Sequence, residues 1–451
     1  MTTLVRTLHL KDLTLLVIGA VIGSGIFLVS GIVLRQVENS IMIALLIWFS
    51  GGVLSLLGGL TYGELCAMKP EAGGLYVFIR DTIGMLPAFL YGWANFFVIA
   101  SGAGATLAVA FSAYLGQIIP MNPVLAKFMS VVMIAVVTFV NVRGTRHSAD
   151  LQNWTTAVKV GAILLMSAVL LWLGKGFQGS TPDLWPAQIN STIMSGFGIA
   201  MISVLWAYEG WQFATFSAAE AVSPQRDFPR AFLIGLLSLI GIYVLANVAY
   251  IDALGAKGAA ATDTIAATAV AAVVGPWTAK LVSLAILISI FSAANSIFLT
   301  TPRIFYAMAR DGIFFQKMAE VHPGFRTPAF AVIAMGIWAS ILAISGTFQQ
   351  LLTFVVFVGW IFYGLAGLSI FVYRKKMPSM ERPYRTPGYP LTSLLFIVSA
   401  AALVLNTIVA QPRNAFIGIL IVSSGIPAYF LWKRVQNRKS VELSASTNTD
   451  R

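Results

Sequence analysis

Long apolar runs recur along this chain, and they constrain its fold more than any other feature. A helix of about twenty apolar residues crosses the roughly 30 Å hydrocarbon core of a bilayer. Twelve such runs are read, approximately over 13–34, 41–66, 84–115, 122–141, 153–174, 193–218, 231–254, 276–301, 328–346, 348–373, 390–410 and 414–432. They are too long, and lack the two-residue alternation, for strands of an outer-membrane barrel. In hydrocarbon, a helix satisfies its own backbone polar groups. The predicted fold class is therefore all-α integral membrane, with twelve transmembrane helices. Composition agrees: 58% of residues are hydrophobic and 10% charged, against about 25% charged in soluble domains. A single membrane domain is expected over 1–450, with 440–451 as a disordered tail. Loops this short leave no room for a soluble ligand-binding or kinase domain.

The net charge of +12 raises the question of nucleic acid, and its placement answers it. Of the 29 Lys and Arg residues, 22 fall on the same side as the N-terminus and six on the other, with Lys159 inside a run. That bias predicts cytoplasmic N- and C-termini in a multi-pass protein of the cell (inner) membrane. The basic tail reads as a topology signal and a contact for anionic lipid, not as a nucleic-acid surface. The first apolar run lacks a small-residue cleavage site and reads as a span. The one cysteine, Cys66, has no internal disulfide partner and reads as a packed thiol. His9, His147 and His322 lack metal-ligand spacing, so neither metal nor cofactor is expected. Gly23-Ser24-Gly25 lacks the third glycine and the preceding strand of a dinucleotide loop. No phosphate loop, potassium-filter pattern or nucleophile–base set stands out, which argues against an enzyme.

Two runs are interrupted. Gly19, Gly23 and Gly25 fall within seven residues in the first run. The sixth run breaks around Ala207-Tyr208-Glu209-Gly210-Trp211, where a carboxylate and a glycine stand in place of apolar residues. The breaks lie five spans apart, so discontinuous helices 1 and 6 head two halves of opposite orientation, 12–174 and 193–374, with 390–432 outside them. Matching broken helices point to a site at the membrane midplane.

The chemistry of such breaks suits a zwitterion. The outer half of the first span starts near Gly25, so its N–H groups and positive dipole end suit a carboxylate. Ser24 adds a hydroxyl. Free carbonyls near Val21, Ile22, Trp206 and Ala207 suit an ammonium. The breaks together predict an α-amino acid receptor made of Val21, Ile22, Gly23, Ser24, Gly25, Trp206, Ala207, Glu209 and Gly210. Lys159 has two readings: it snorkels to the surface, or its buried ammonium replaces a coupling cation or carries a proton. Glu209 contacts a cationic substrate, carries a proton or faces the cytoplasmic pathway.

These residues resemble the amino acid–polyamine–organocation superfamily, most closely bacterial members of its L-type amino acid transporter-like branch. The matching motifs are Gly23-Ser24-Gly25-Ile26-Phe27, Tyr62-Gly63-Glu64-Leu65, Pro70-Glu71-Ala72-Gly73-Gly74-Leu75-Tyr76, Asn141-Val142-Arg143-Gly144-Thr145, Arg230-Ala231, Asn295-Ser296 and Pro302-Arg303. The resemblance implies a leucine transporter-like five-plus-five inverted repeat with two additional helices. It implies the substrate carboxylate near Gly23, Ser24 and Gly25, and the ammonium on carbonyls of Val21, Trp206 and Glu209. Trp206 stands where the family often has an aromatic gate. Lys159 stands at the branch's fifth-span lysine, which implies sodium-independent transport and often obligatory exchange. Gating and coupling are assigned to Lys159, Trp206, Tyr208, Asn295 and Gly359. Where Glu209 stands, large-pocket members have glycine and some bacterial members aspartate. Animal members pair with a glycoprotein through a cysteine between the third and fourth spans; residues 116–123 have none, so no disulfide-linked heavy chain is expected.

The expectation is therefore a sodium-independent exchanger of small or neutral L-amino acids. The alternatives are proton-coupled uptake, a cationic amino acid or polyamine carrier and, from a different class, a channel or membrane sensor.

Overall fold

A computed structural model describes residues 4–174, 184–186 and 188–434, apart from the side chains of Thr145, His147, Phe348 and Gln349. The predicted tail over 440–451, with Lys175, Arg438 and Lys439, lies outside the described residues. The chain order is α1 (Leu10–Val21), α2 (Gly25–Gln36), α3 (Ile41–Met68), α4 (Leu75–Thr82), α5 (Met85–Ala94), α6 (Ala100–Ile118), α7 (Pro123–Val142), α8 (Thr145–Leu173) and α9 (Ser191–Ala207). Next come α10 (Pro224–Ala260), α11 (Ile265–Val273), α12 (Thr278–Thr300), α13 (Pro302–Arg310), α14 (Ala329–Ser345), α15 (Phe348–Lys376), α16 (Leu391–Ala410) and α17 (Pro412–Ser423). A π-helical turn, Asn95–Ile99, joins α5 to α6, and a 3-10 helix, Trp211–Glu220, follows α9.

Each predicted apolar run is helical. Among the described residues ten helices are long and apolar enough to cross a bilayer, and the bent pair α1–α2 makes eleven. The shorter apolar helix α14 has 17 residues, about 26 Å at 1.5 Å per residue. Differences from the expected bounds have local causes. The seventh run is the middle of the 37-residue α10, which takes a non-helical turn at Gly255. Proline at the first turn, with no intrahelical N–H to lose, starts α7, α10, α13 and α17.

Side chains pointing away from the bundle are large and apolar, among them Phe128, Trp172, Ile337 and Val409. In water such a surface would be costly, whereas in lipid it is matched to its solvent. The interior instead holds polar groups in pairs. Arg303 on α13 and Glu220 at the end of the 3-10 helix are each 1% exposed and meet through two hydrogen bonds of 2.8 and 2.9 Å. The N-terminal segment crosses the same place. The Thr7 and Leu8 N–H groups donate to the Glu220 carbonyl at 2.8 and 3.0 Å, and the Val222 N–H donates to the Leu8 carbonyl at 2.9 Å. Glu64 on α3 accepts two hydrogen bonds from Arg374 on α15, at 2.9 and 2.7 Å.

A buried ion pair gains little over an apolar pair, but breaking it strands a charge. Glu220→Gln is therefore expected to destabilise the protein by about 3–5 kcal/mol, read as a large drop in melting temperature in detergent. The exposed pair Arg35–Asp263 should contribute about 0–1 kcal/mol by the same assay.

Candidate functional site

The first span ends its N-terminal half at Val21 and restarts at Gly25, with a bend of 45°. The last carbonyls of α1 have no intrahelical donor and open into the break. Lys159, on α8 and 1% exposed, fills that role. Its Nζ donates to the Gly19 carbonyl at 2.6 Å and the Ile22 carbonyl at 2.5 Å. The Ser289 hydroxyl on α12 lies 3.2 Å from the Ile22 carbonyl and 3.1 Å from that of Gly23. An ammonium thus rests on the negative end of α1. No ion pair holds Lys159 among the described residues, so carbonyl dipoles supply its compensation. The snorkelling reading is corrected: the side chain runs inward to α1 and does not reach the surface.

On the other side of the break, α2 presents its positive end. Its first N–H groups lack intrahelical acceptors. Ser24 precedes them, buried, with no side-chain capping bond and no partner for its hydroxyl among the described residues.

The second break begins where α9 ends at Ala207 and turns at Gly210, whose φ of 123° only glycine adopts cheaply. The two breaks touch. A Cβ on Gly25 would lie 2.5 Å from the Ala207 Cα, and one on Gly210 would lie 2.7 Å from the Ala20 carbonyl oxygen. Tyr243, on α10, lies between them, its hydroxyl 3.0 Å from the Ala207 carbonyl and 3.2 Å from that of Val21. Its ring packs on Trp48 and Tyr208, with centroids 5.5 and 4.9 Å apart.

Glu209 stands in the turn itself. Its Oε1 accepts hydrogen bonds from Gln212 Nε2 and the Tyr363 hydroxyl, both at 2.5 Å. Gln212 Nε2 also donates to the Tyr363 hydroxyl at 2.8 Å. No ion pair holds Glu209 among the described residues, and its Oε2 has no partner there.

Between the breaks lies a small cavity, with about 20 Å³ open to the centre of a water molecule. That holds about one water, so the site is closed in this conformation. Val21, Gly23, Ser24, Gly25, Trp206 and Glu209 line it, as do Ala20, Ala103, Leu107, Phe213, Ala293 and Ile297. Of the other predicted residues, Ile22, Ala207 and Gly210 form the backbone around the cavity without lining it. Tyr208 belongs to the aromatic group behind Tyr243. Lys159 sits behind the first break. Asn295 is elsewhere, bonded to Asn141, Ser148 and Gln152 between α7, α8 and α12. Gly359 packs one helical turn from Tyr363, where an added Cβ would meet that hydroxyl at 2.9 Å.

Sequence reasoning missed the opposite wall and the supports. Ala103, Leu107 and Ala293 sit in unbroken apolar helices and carry no signal. Tyr243, Ser289, Gln212 and Tyr363 had one: polar groups inside apolar runs need partners. No cluster of His, Cys, Asp or Glu suited to a metal occurs among the described residues, and Cys66 is buried within α3.

A multi-pass helical bundle closed around two contacting helix breaks defines a membrane transporter of the broken-helix type. The profile of the family described as "Amino acid permease" matches residues 8–430, and the chain belongs to that family, within the amino acid–polyamine–organocation superfamily. It is 31% identical to a serine/threonine exchanger of Bacillus subtilis, over 93% of this chain and 95% of that protein. It is 30% identical to the human cystine/glutamate transporter, over 94% of this chain and 86% of that one. It is also 30% identical to the human b(0,+)-type amino acid transporter 1, over 96% of this chain and 88% of that protein.

Because Gly25 and Ala207 are in backbone contact, Gly25→Ala is expected to force the breaks apart. Substrate binding by the purified protein should fall at least about 100-fold, the order of effect of a 1 Å misplacement. Tyr243→Phe should leave two carbonyls without their donor and cost about 1–3 kcal/mol of stability, read by thermal melting.

Proposed function

We propose that this protein exchanges small neutral L-amino acids across the cell membrane by alternating access, independently of sodium, with both termini cytoplasmic. The observation that carries the reading is the pairing of opposite poles at one small cavity. The free N–H groups of α2 and the unpartnered Ser24 hydroxyl receive the carboxylate. The Val21 and Ala207 carbonyls receive the ammonium, with Tyr243 yielding its hydroxyl hydrogen bond. Ala103, Leu107, Phe213, Ala293 and Ile297 give the cavity an apolar wall that suits a small apolar or hydroxylated side chain once the breaks separate. The names of the exchanger and transporter relatives support amino acid transport, and that of the serine/threonine exchanger supports small neutral substrates.

Lys159 takes the part of a coupling cation in this account. Its amine is covalently attached and hydrogen-bonds the Gly19 and Ile22 carbonyls, so no sodium ion is needed to hold α1 against α8. The inverted halves, 12–174 and 193–374, supply the moving frame, with 390–432 outside it. The substrate leaves chemically unchanged, so the protein is a carrier and not an enzyme. The single buried cysteine fits a carrier without a disulfide-linked heavy chain.

Glu209 supports a second reading, a carrier of cationic amino acids. A carboxylate lining the cavity with one oxygen unpartnered is a ready receptor for a side-chain ammonium or guanidinium.

Uptake of labelled L-serine, L-threonine, L-alanine and L-lysine into proteoliposomes separates these readings. Exchange predicts uptake that needs internal amino acid and ignores sodium and pH gradients. Uptake into empty vesicles driven by an inward proton gradient would replace exchange with proton coupling. Glu209→Gln should change uptake of all four substrates alike if Glu209 acts through its bonds to Gln212 and Tyr363. A selective loss of lysine uptake, by about tenfold or more for one charge-assisted bond of 1.5–3 kcal/mol, establishes the cationic reading.

A further inference from the structure

A second cavity, of about 270 Å³, lies away from the central site, where the N-terminal segment, the α7–α8 turn and the turn before α14 meet. Arg143, Arg146 and Arg326 line it together with Thr7, Gly144 and Glu220. Much of this charge is already compensated. Glu220 is paired with the buried Arg303, and Arg146 with Asp12 and Asp150. Arg143 lies over the Phe139 ring at 4.4 Å, and neither it nor Arg326 is paired with an acid among the described residues. Two guanidinium groups in the cavity wall are thus left without a counter-charge.

The backbone adds two further facts. Arg326 has a φ of 54°, a left-handed conformation that glycine would adopt without strain. The turn that holds it is fastened by the Arg326 N–H donating to the His322 carbonyl at 2.8 Å and the His322 N–H donating to the Thr327 carbonyl at 2.9 Å. Arg326 thus keeps a strained backbone position while its exposed guanidinium has no acidic partner among the described residues, which points to a ligand. Gly144 caps the N-terminus of the 29-residue α8, so that helix's positive end meets the same cavity.

We propose that this cavity binds a phosphate-type oxyanion through Arg143 and Arg326, carried by an anionic lipid headgroup or free in solution. Guanidinium forks match phosphate oxygens in geometry and charge. The wall includes Thr7, whose carbonyl accepts from Arg146 Nη1 at 3.2 Å and whose N–H holds Glu220. An oxyanion there braces the N-terminal segment against the end of the 3-10 helix that leads from the second break.

The test is thermal melting of the full-length protein purified in neutral detergent, without any transport readout. Inorganic phosphate, phosphatidylglycerol and phosphatidylcholine with the same acyl chains are titrated in turn. Wild type should gain a few degrees with phosphatidylglycerol and none with phosphatidylcholine. A gain with inorganic phosphate as well identifies a site for the free oxyanion, and a gain with the lipid alone identifies a headgroup site. Arg143→Gln and Arg326→Gly should each lose most of the gain. Arg326→Gly relieves its own backbone strain, so the ligand-free variant should melt no lower than wild type and remain a fair test. The proposal is overturned if neither probe stabilises wild type, or if both variants keep the full gain.

Discussion

The structure depends on one ammonium group held by the end of a helix. Lys159 reaches from α8 to the Gly19 and Ile22 carbonyls, the groups that a broken helix leaves without donors. Without a cation there, the first break would expose several carbonyls in a dry interior, at a cost of a few kcal/mol each. With it, the N-terminal half of the first span can stop within the bundle at Val21. Ser289 completes the arrangement from α12, so three helices converge on one short stretch of backbone. This makes the break a built feature of the bundle and not a weak point.

Small residues then allow the two breaks to act as one site. Gly25 lies against Ala207 and Gly210 against Ala20, at distances a side chain would not permit. That contact places the positive end of α2 opposite the carbonyls at the end of α9, the two poles proposed to receive a ligand bearing both charges. Tyr243 spans the carbonyl pole in the closed state. The cavity holds about one water in this conformation, so admitting an amino acid requires the breaks and the α6 and α12 wall to separate. The Glu220–Arg303 pair and the N-terminal bridge beside it hold the end of the 3-10 helix that continues from the second break. Movement at the site and opening at that end are therefore mechanically connected.

Much of this was legible in the residues themselves. Apolar run lengths marked the long helices, because hydrocarbon imposes one length scale on them, whereas the short α4, α11 and α13 fall outside the predicted runs. The glycine cluster and the Glu209-Gly210 turn marked both breaks, because such residues are unexpected in a plain span. Six of the nine residues predicted to bind substrate line the cavity, and the other three surround it as backbone. Ala103, Leu107, Ala293 and Ile297 were not legible, because an alanine facing a ligand looks the same in sequence as one facing another helix. Asn295, which the resemblance assigns to gating or coupling, stands away from the cavity and hydrogen-bonds to Asn141, Ser148 and Gln152. The Glu209 carboxylate keeps several readings in sequence, and its bond to Tyr363 depends on a contact across 154 positions of chain, whereas that to Gln212 is local.

The central claim is that one cavity reads both ends of an α-amino acid through two helix breaks. The most direct measurement is equilibrium binding of L-threonine, its amide and its decarboxylated amine to the purified protein. The account predicts that removing the carboxylate charge or the whole carboxylate each weakens binding by at least about tenfold, since a hydrogen bond to a charged group contributes 1.5–3 kcal/mol. If the amine binds as tightly as threonine, the N-terminus of α2 is not a carboxylate receptor and the two-pole site is wrong.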